Sequence, residues 1–507
     1  MIEKRIQEMF SKVFEKIEKI SFLPLVEEEG EVISVGDDIA YVKGLPGACL
    51  FELLVFEKED IGLIFDLDVD KIGVVLLQKR AGLRSGDKVY RTGKTLSVAV
   101  GPFLLGQVLD GLGTPLSKEK FSKIEGFYPV EKEAPSLIER DFVREPLYTG
   151  ITVIDALIPI GKGQRELILG DPATGKTALA IDTIINQKKS DVISIYVSIG
   201  QKKEHINRIY HFIANYGDLS KTILLKVEGG EPLGLQYIAP YAATAIAEYF
   251  RDQGKSVLII YDDLTKHASS YRSLSLLLKR PPGREAFPGD IFYLHSRLLE
   301  RAGKLTDNLG GGSITALPIV ETQQGNISAF IPTNLISITD GQIYLDAELF
   351  HKGIRPAIDV GKSVSRIGGK AQVPIMKELA GRLKIEYSQF LEREIFTKFG
   401  MKLEEETQKL IKRGQRYREI FKQKPLKPRF LEEHVLFLML VESGLLDEVE
   451  LESIKKVSEE IINKTKIRQP GLIERINKRG NLTSEEKNIL KDTFKEIFSQ
   501  YYANQRD

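Results

Sequence analysis

Eight residues, Gly170-Asp171-Pro172-Ala173-Thr174-Gly175-Lys176-Thr177, carry the spacing G-x-x-x-x-G-K-[ST] of a phosphate-binding loop. Glycines let backbone N–H groups approach a phosphate, and a following helix N-terminus adds positive potential. Lys176 is suited to reach the outer phosphates of a bound nucleotide, and Thr177 to offer its hydroxyl to Mg²⁺. Such a loop works with an acid at the end of a neighbouring strand, which holds the metal through its water shell. Asp262 ends the apolar run Val257-Leu258-Ile259-Ile260-Tyr261 and fits that part. Asp263 should point elsewhere, because successive strand residues alternate faces.

Hydrolysis needs one more group, to orient or deprotonate the attacking water. The expected place is the end of the strand beside the loop strand, where the chain reads Ser198-Ile199-Gly200-Gln201-Lys202-Lys203-Glu204. Gln201 can position water, but an amide cannot accept its proton. Glu204 reads as a charge in the first turn of the next helix, where the dipole favours acids.

The elements that must position these residues form three blocks. The runs at 30–35, 39–42, 61–67, 72–77 and 88–90 are short, β-rich and separated by turn residues. They predict a small closed barrel over residues 25–97. From 98 to 375, apolar runs at 165–169, 191–197, 222–227, 256–261 and 313–319 alternate with helical patterns. This predicts parallel strands covered on both faces, a RecA-like nucleotide-binding domain. Residues 376–507 predict helices at 376–398, 403–422, 430–442, 451–464 and 485–502, the last with a capping box from Thr483 and Glu486. Ahead of the barrel, within residues 1–24, Ile2, Ile6, Met9, Phe10, Val13, Phe14 and Ile17 fall at helical spacing. They predict an amphipathic helix over 2–20 that needs a partner surface.

Composition sets outer limits. The chain has 507 residues, 42% hydrophobic and 28% charged, and a formal net charge of +1, which gives no sign of a polyanion partner. A single cysteine, Cys49, leaves no internal disulfide, and six scattered histidines show no metal-ligand spacing. His295 and His351 read as structural. With no long apolar stretch and no leader-like N-terminus, a cytoplasmic location is expected, with any membrane role exercised through partners.

Further blocks point to a family. Tyr261-Asp262-Asp263-Leu264-Thr265-Lys266-His267 leads into Leu278-Lys279-Arg280-Pro281-Pro282-Gly283-Arg284-Glu285. Gly310-Gly311-Gly312-Ser313 and Ile331-Pro332-Thr333-Asn334 through Gly341-Gln342 follow, then Gly353-Ile354-Arg355-Pro356 and Ser363-Val364-Ser365-Arg366-Ile367-Gly368. From about residue 28 to about 447 the chain resembles the alpha subunits of F-type ATP synthases. The resemblance implies a head in which three alpha and three beta subunits alternate around the gamma central stalk, coupled to an ion-conducting ring in the membrane. It implies an alpha site that binds Mg-ATP without turning it over, since beta subunits carry a glutamate where this chain has Gln201. It implies that Arg366 is an arginine finger reaching the site of the neighbouring beta subunit, with Ser337 close to the same interface. Arg355, Pro356 and Gln415 join the nucleotide-binding set, and residues 2–20 meet the delta subunit of the peripheral stalk. The expected location is the cytoplasmic face of a prokaryotic inner membrane, as a peripheral complex without nucleic acid.

Some positions depart from the family pattern. Pro172-Ala173 stands where most alpha subunits have Arg-Gln, and Arg413-Gly414-Gln415 where two glutamines are expected near the adenine. Gly368-Gly369-Lys370-Ala371-Gln372 and Tyr387-Ser388-Gln389-Phe390 resemble a second prokaryotic branch thought to pump sodium, though the coupling ion is chosen in the ring. Two other readings share the barrel and RecA-like core. A catalytic hexameric ATPase of the secretion or flagellar export type predicts a glutamate in place of Gln201. A nucleic-acid translocase predicts basic central loops, which the near-neutral charge does not support.

Overall fold

The computed structural model describes residues 28–78, 82–117, 124–397 and 405–503. The expected N-terminal helix at 2–20 lies outside them. Two compact units divide the chain after Lys94.

In the first unit, Glu29–Val35, Ile39–Lys43, Glu52–Phe56, Ile61–Leu67, Ile72–Gln78 and Lys88–Thr95 (β1–β6) close into an antiparallel barrel in the order β1-β2-β5-β4-β3-β6. Strand alternation sends Val32, Ala40, Val42, Leu54, Phe56, Ile64, Val74 and Leu76 into one apolar core. Closure satisfies the edge hydrogen bonds that an open sheet would leave unpaired. The strand over 52–56 was not expected; its run Leu53-Leu54-Val55-Phe56 follows Phe51, which sits in the left-handed region at φ 63°.

The second unit carries the site. Its strands are Ser97–Val100, Val108–Leu109, Gly126–Pro129, Leu167–Gly170, Ile193–Gln201, Thr222–Glu228, Ser256–Asp262, Gly303–Lys304, Ser313–Glu321, Gly341–Leu345 and Val364–Ser365 (β7–β17). β7 and β9 form a separate pair. The others build one sheet in the order β17-β16-β10-β15-β13-β11-β12-β8, with β14 on β15. All its pairings are parallel except those of β14 and β17. The central strands are buried along nearly their whole length, which is why they read as apolar runs rather than alternating patterns. The helix Leu233–Asp252 is buried on almost every side, and Glu248 on it forms a bidentate pair with Arg301, both side chains fully buried. Arg301 also donates to the Val130 carbonyl at 2.7 Å, so its fork is satisfied.

After Gln372 the strands stop. Helices Pro374–Thr397, Glu405–Phe421, Leu431–Glu442, Ile454–Arg468, Pro470–Arg479 and Ser484–Ala503 follow. The last is capped as the sequence implies: Glu486 accepts from the Thr483 N–H at 2.8 Å, and Thr483 Oγ1 accepts from the Glu486 N–H at 3.2 Å. Pro470–Arg479 was not expected as a separate helix; Pro470 opens it and Gly480, at φ 60°, closes it.

Candidate nucleotide site

β10 delivers the chain to the loop, and the helix Lys176–Asn186 leaves it. The turn needs a left-handed backbone at Gly175, φ 105°. A side chain at Gly170 would meet the Leu345 carbonyl at 2.5 Å. Ala173, at φ 63°, takes the left-handed region without being glycine, a strain of roughly 1 kcal/mol. Pro172 and Ala173 are exposed. Asp171 braces the loop from behind: its carboxylate accepts from Thr322 Oγ1 at 2.6 Å and from the Gly325 N–H at 2.9 Å. Thr174 Oγ1 donates to the Asp171 carbonyl at 2.8 Å.

Lys176 Nζ donates to the Gly170 and Asp171 carbonyls at 2.8 and 2.7 Å, and Glu321 lies 3.9 Å away. Burial holds its pKa below the usual lysine value; Glu321, Asp263, Asp262 and Asp171 work against that shift. Sequence reasoning missed Glu321. The signal was β15 itself, which runs two residues past the expected end at Ile319 and finishes beside the loop strand.

Asp262, Thr177 and Gln201 do come together. Thr177 Oγ1 donates to Asp262 Oδ2 at 2.7 Å, the same oxygen accepts from the Tyr196 hydroxyl at 2.5 Å, and Gln201 Nε2 donates to Oδ1 at 3.3 Å. Lys266 Nζ donates to Gln201 Oε1 at 2.8 Å. The Gln201 amide is therefore engaged at both ends. Tyr196 had no sequence motif to mark it, and Lys266 stood in a family block with no role attached. The peptide between Asp262 and Asp263 is cis. Asp263 turns away to cap the helix Leu264–Leu277, accepting from the Lys266 N–H at 2.8 Å. Burial, with the neighbouring Asp262 charge, pushes its pKa up to about 7. Glu204 sits exposed in the first turn of Lys203–Tyr216.

Beside the loop is a largely apolar cavity of about 290 Å³, lined among others by Ala173, Leu345, Phe350, Arg355, Pro356, Gln423 and Pro425. Its size suits a base and sugar. Arg355 stacks over Phe350 at 4.3 Å from the ring centre, and the Arg355–Pro356 peptide is cis. Gln415 does not line this cavity; Gln423 and Pro425 do. Residue 415 lies within the helix Glu405–Phe421, six residues or roughly 9 Å short of its end, and only the loop beyond that helix reaches the pocket. Gln423 accepts from the Thr152 N–H at 2.7 Å and donates to the Gly150 carbonyl at 2.9 Å. Asp182 also faces the cavity; burial pushes its pKa up to about 6, against the pull of the Leu426 N–H it accepts.

Arg366 is elsewhere. It follows β17, which pairs with the start of β16 at Gly341, whereas the phosphate loop follows the far end of β10, level with Leu345. Four strand residues at ~3.3 Å each put the two at opposite ends of the sheet, roughly 13 Å apart along the strand direction alone. Arg366 is exposed, and among the described residues its side chain has one hydrogen bond, a long one of 3.5 Å to the Ile336 carbonyl. Ser337, next in sequence to Ile336, is exposed as well and donates to the Asn334 carbonyl at 2.6 Å. Arg366 and Ser337 thus share a surface, and it is not the surface of their own phosphate loop.

Three family models cover the chain in this same order. Residues 25–93 match the ATP synthase alpha/beta family beta-barrel domain, 150–365 its nucleotide-binding domain, and 372–497 its C-terminal domain. The chain belongs to the ATP synthase alpha/beta family. Among the curated proteins it is similar to the ATP synthase subunit alpha of Aquifex aeolicus, 49% identical over 476 residues, 93% of this chain and 95% of that one. The ATP synthase subunit alpha 2 of Syntrophus aciditrophicus is 51% identical over 466 residues, 92% and 90% of the two chains. The ATP synthase subunit alpha of Caldanaerobacter subterraneus is 47% identical over 499 residues, 98% and 99%. The chain is an alpha-type member, part of an enzyme complex. No described helix is long and apolar enough to cross a membrane.

Proposed function

We propose that this alpha subunit holds a nucleotide without hydrolysing it and lends Arg366 to the catalytic site of an adjacent beta subunit. One observation carries the reading. Where a water-activating base is needed, the chain has Gln201, and that amide is bonded to Asp262 on one side and Lys266 on the other. The alternative of a catalytic ATPase of the secretion or flagellar export type predicts a glutamate at this position.

The residues fit Mg-ATP or Mg-ADP. Lys176 and the loop N–H groups suit the phosphates, and the cavity walled by Phe350, Pro356 and Gln423 suits the base. Thr177 and Asp262 supply hard oxygen donors, Thr177 directly and Asp262 through water. Bound magnesium would neutralise phosphate charge. Lys176 donates to the Gly170 and Asp171 carbonyls and Thr177 to Asp262, which draws these side chains together at the loop.

Arg366, exposed and held by one long hydrogen bond among the described residues, suits a guanidinium supplied in trans, which neutralises charge developing on a transferred phosphoryl group. Ser337 lies at the same interface. The partners are then beta subunits in an alternating hexamer, the gamma stalk within it, and the delta subunit at residues 2–20. The membrane is met only through the ring, at the cytoplasmic face of a prokaryotic inner membrane, with protons or sodium as the coupling ion. The test is the purified full-length chain without beta subunits. It should bind ATP with magnesium and show no steady-state hydrolysis; appreciable turnover would sink the reading.

A further inference from the structure

A second cavity, of about 430 Å³, opens among the C-terminal helices. It is lined by Lys424, Lys427, Arg429 and Lys455, with Glu433 and Glu459 as its acids. We propose that this cavity binds a small phosphate-bearing anion.

The argument starts from Arg429, nine-tenths buried. Its Nη1 donates to Thr152 Oγ1 at 3.0 Å and to the Ile420 carbonyl at 2.9 Å, and its guanidinium lies over the Phe437 ring at 3.8 Å. Those contacts fix the plane of the fork. Its other nitrogens have no hydrogen-bond partner among the described residues, and Arg429 lines the cavity. A buried guanidinium with its free edge toward a cavity is a ready partner for an oxyanion, which can accept two parallel N–H groups.

The surrounding charges point the same way. Lys424, Lys427 and Lys455 line the cavity and form no ion pair among the described residues. Of the two acids, Glu433 is already used: Oε1 accepts from Lys466 at 2.9 Å and Oε2 from the Phe430 N–H at 3.0 Å. Glu433 and Glu459 both act on the Arg429 charge, so the wall carries four cations against two carboxylates. Burial lowers the Arg429 pKa to about 10, still charged at neutral pH, so the excess positive charge persists. Two helices and a loop form the walls. Lys455, Glu459 and Ile462 fall on one face of Ile454–Arg468, and Glu433 and Phe437 on one face of Leu431–Glu442. The remaining wall is the loop from Gln423 to Arg429, whose Gln423 and Pro425 also wall the base cavity. The anion site is thus back to back with the nucleotide site and does not use its phosphate loop.

The test uses the full-length chain with Lys176→Gln, which disables the phosphate loop, and titrates inorganic pyrophosphate by calorimetry in 0.15 M KCl. Saturable binding should remain, and Lys427→Gln with Lys455→Gln in that background should weaken it at least tenfold without moving the melting temperature. No binding in the Lys176→Gln chain, or binding indifferent to the two lysines, overturns the proposal. Competition with AMP separates the sources: displacement identifies a nucleotide phosphate as the occupant, and its failure a free anion, either of which supports the site. Failure here leaves the nucleotide reading intact, because that reading rests on Gln201 and Arg366.

Discussion

Replacing Arg366 with alanine separates two roles that an exposed arginine can have. Among the described residues its side chain makes one hydrogen bond, at 3.5 Å to the Ile336 carbonyl. Its backbone N–H donates to the Asp340 carbonyl at 2.9 Å, a bond that alanine keeps. The loss to stability should therefore stay within about 0.5 kcal/mol, as for surface changes generally. The loss to catalysis should be far larger. A guanidinium supplied in trans is worth roughly 10³–10⁵ in rate, or about 4–7 kcal/mol at ~1.4 kcal/mol per decade. The measurement is steady-state ATP hydrolysis by a reconstituted assembly of this chain with beta and gamma subunits, beside its melting temperature and sedimentation. Arg366→Ala should assemble, melt within a degree or two of the parent, and lose at least three decades of rate. Arg366→Lys should recover little, because an ammonium cannot offer the planar fork. A rate within threefold of the parent in an intact assembly would refute the assignment, and a large fall in melting temperature would show that Arg366 is structural.

Thr177→Val removes the hydroxyl that donates to Asp262. It should weaken nucleotide binding about tenfold in magnesium and leave binding in EDTA unchanged, as read by equilibrium titration in both buffers. Arg301→Met leaves the buried Glu248 without its bidentate partner, with Arg251 at 3.9 Å, and should cost about 3 kcal/mol, visible as a lower denaturation midpoint. Asp182 has a folded pKa raised to about 6, from 3.8. The folded state therefore binds the extra proton, and stability should fall as pH rises from about 4 to about 6 and level off above, by on the order of 3 kcal/mol. Urea midpoints at pH 4.5, 5.5 and 7 check this, and Asp182→Asn should flatten that part of the profile.

The sequence alone was sufficient for the barrel, the parallel sheet and the helical C-terminal region. Each imposes a periodicity or a composition that a buried backbone cannot avoid. The phosphate loop was legible for the same reason: its spacing is dictated by how closely a backbone must approach phosphate. Asp262 and Gln201 were legible because strand ends next to such a loop are where the chemistry has to sit. The residues around them were not. Glu321, Tyr196 and Lys266 come from three different elements and meet only when parallel strands fall into register. Gln415 was expected near the adenine from the family resemblance; it lies within the helix that ends at Phe421, and the cavity beside the phosphate loop is lined instead by Gln423 and Pro425. The sequence also named Arg366, but not which end of the sheet it occupies. That was decided by β17 turning back antiparallel on the start of β16, while β10 runs the other way to its loop. Local spacing records what a backbone must do to touch a phosphate. Only the order and direction of the strands determine which side chains share that phosphate and which face outward.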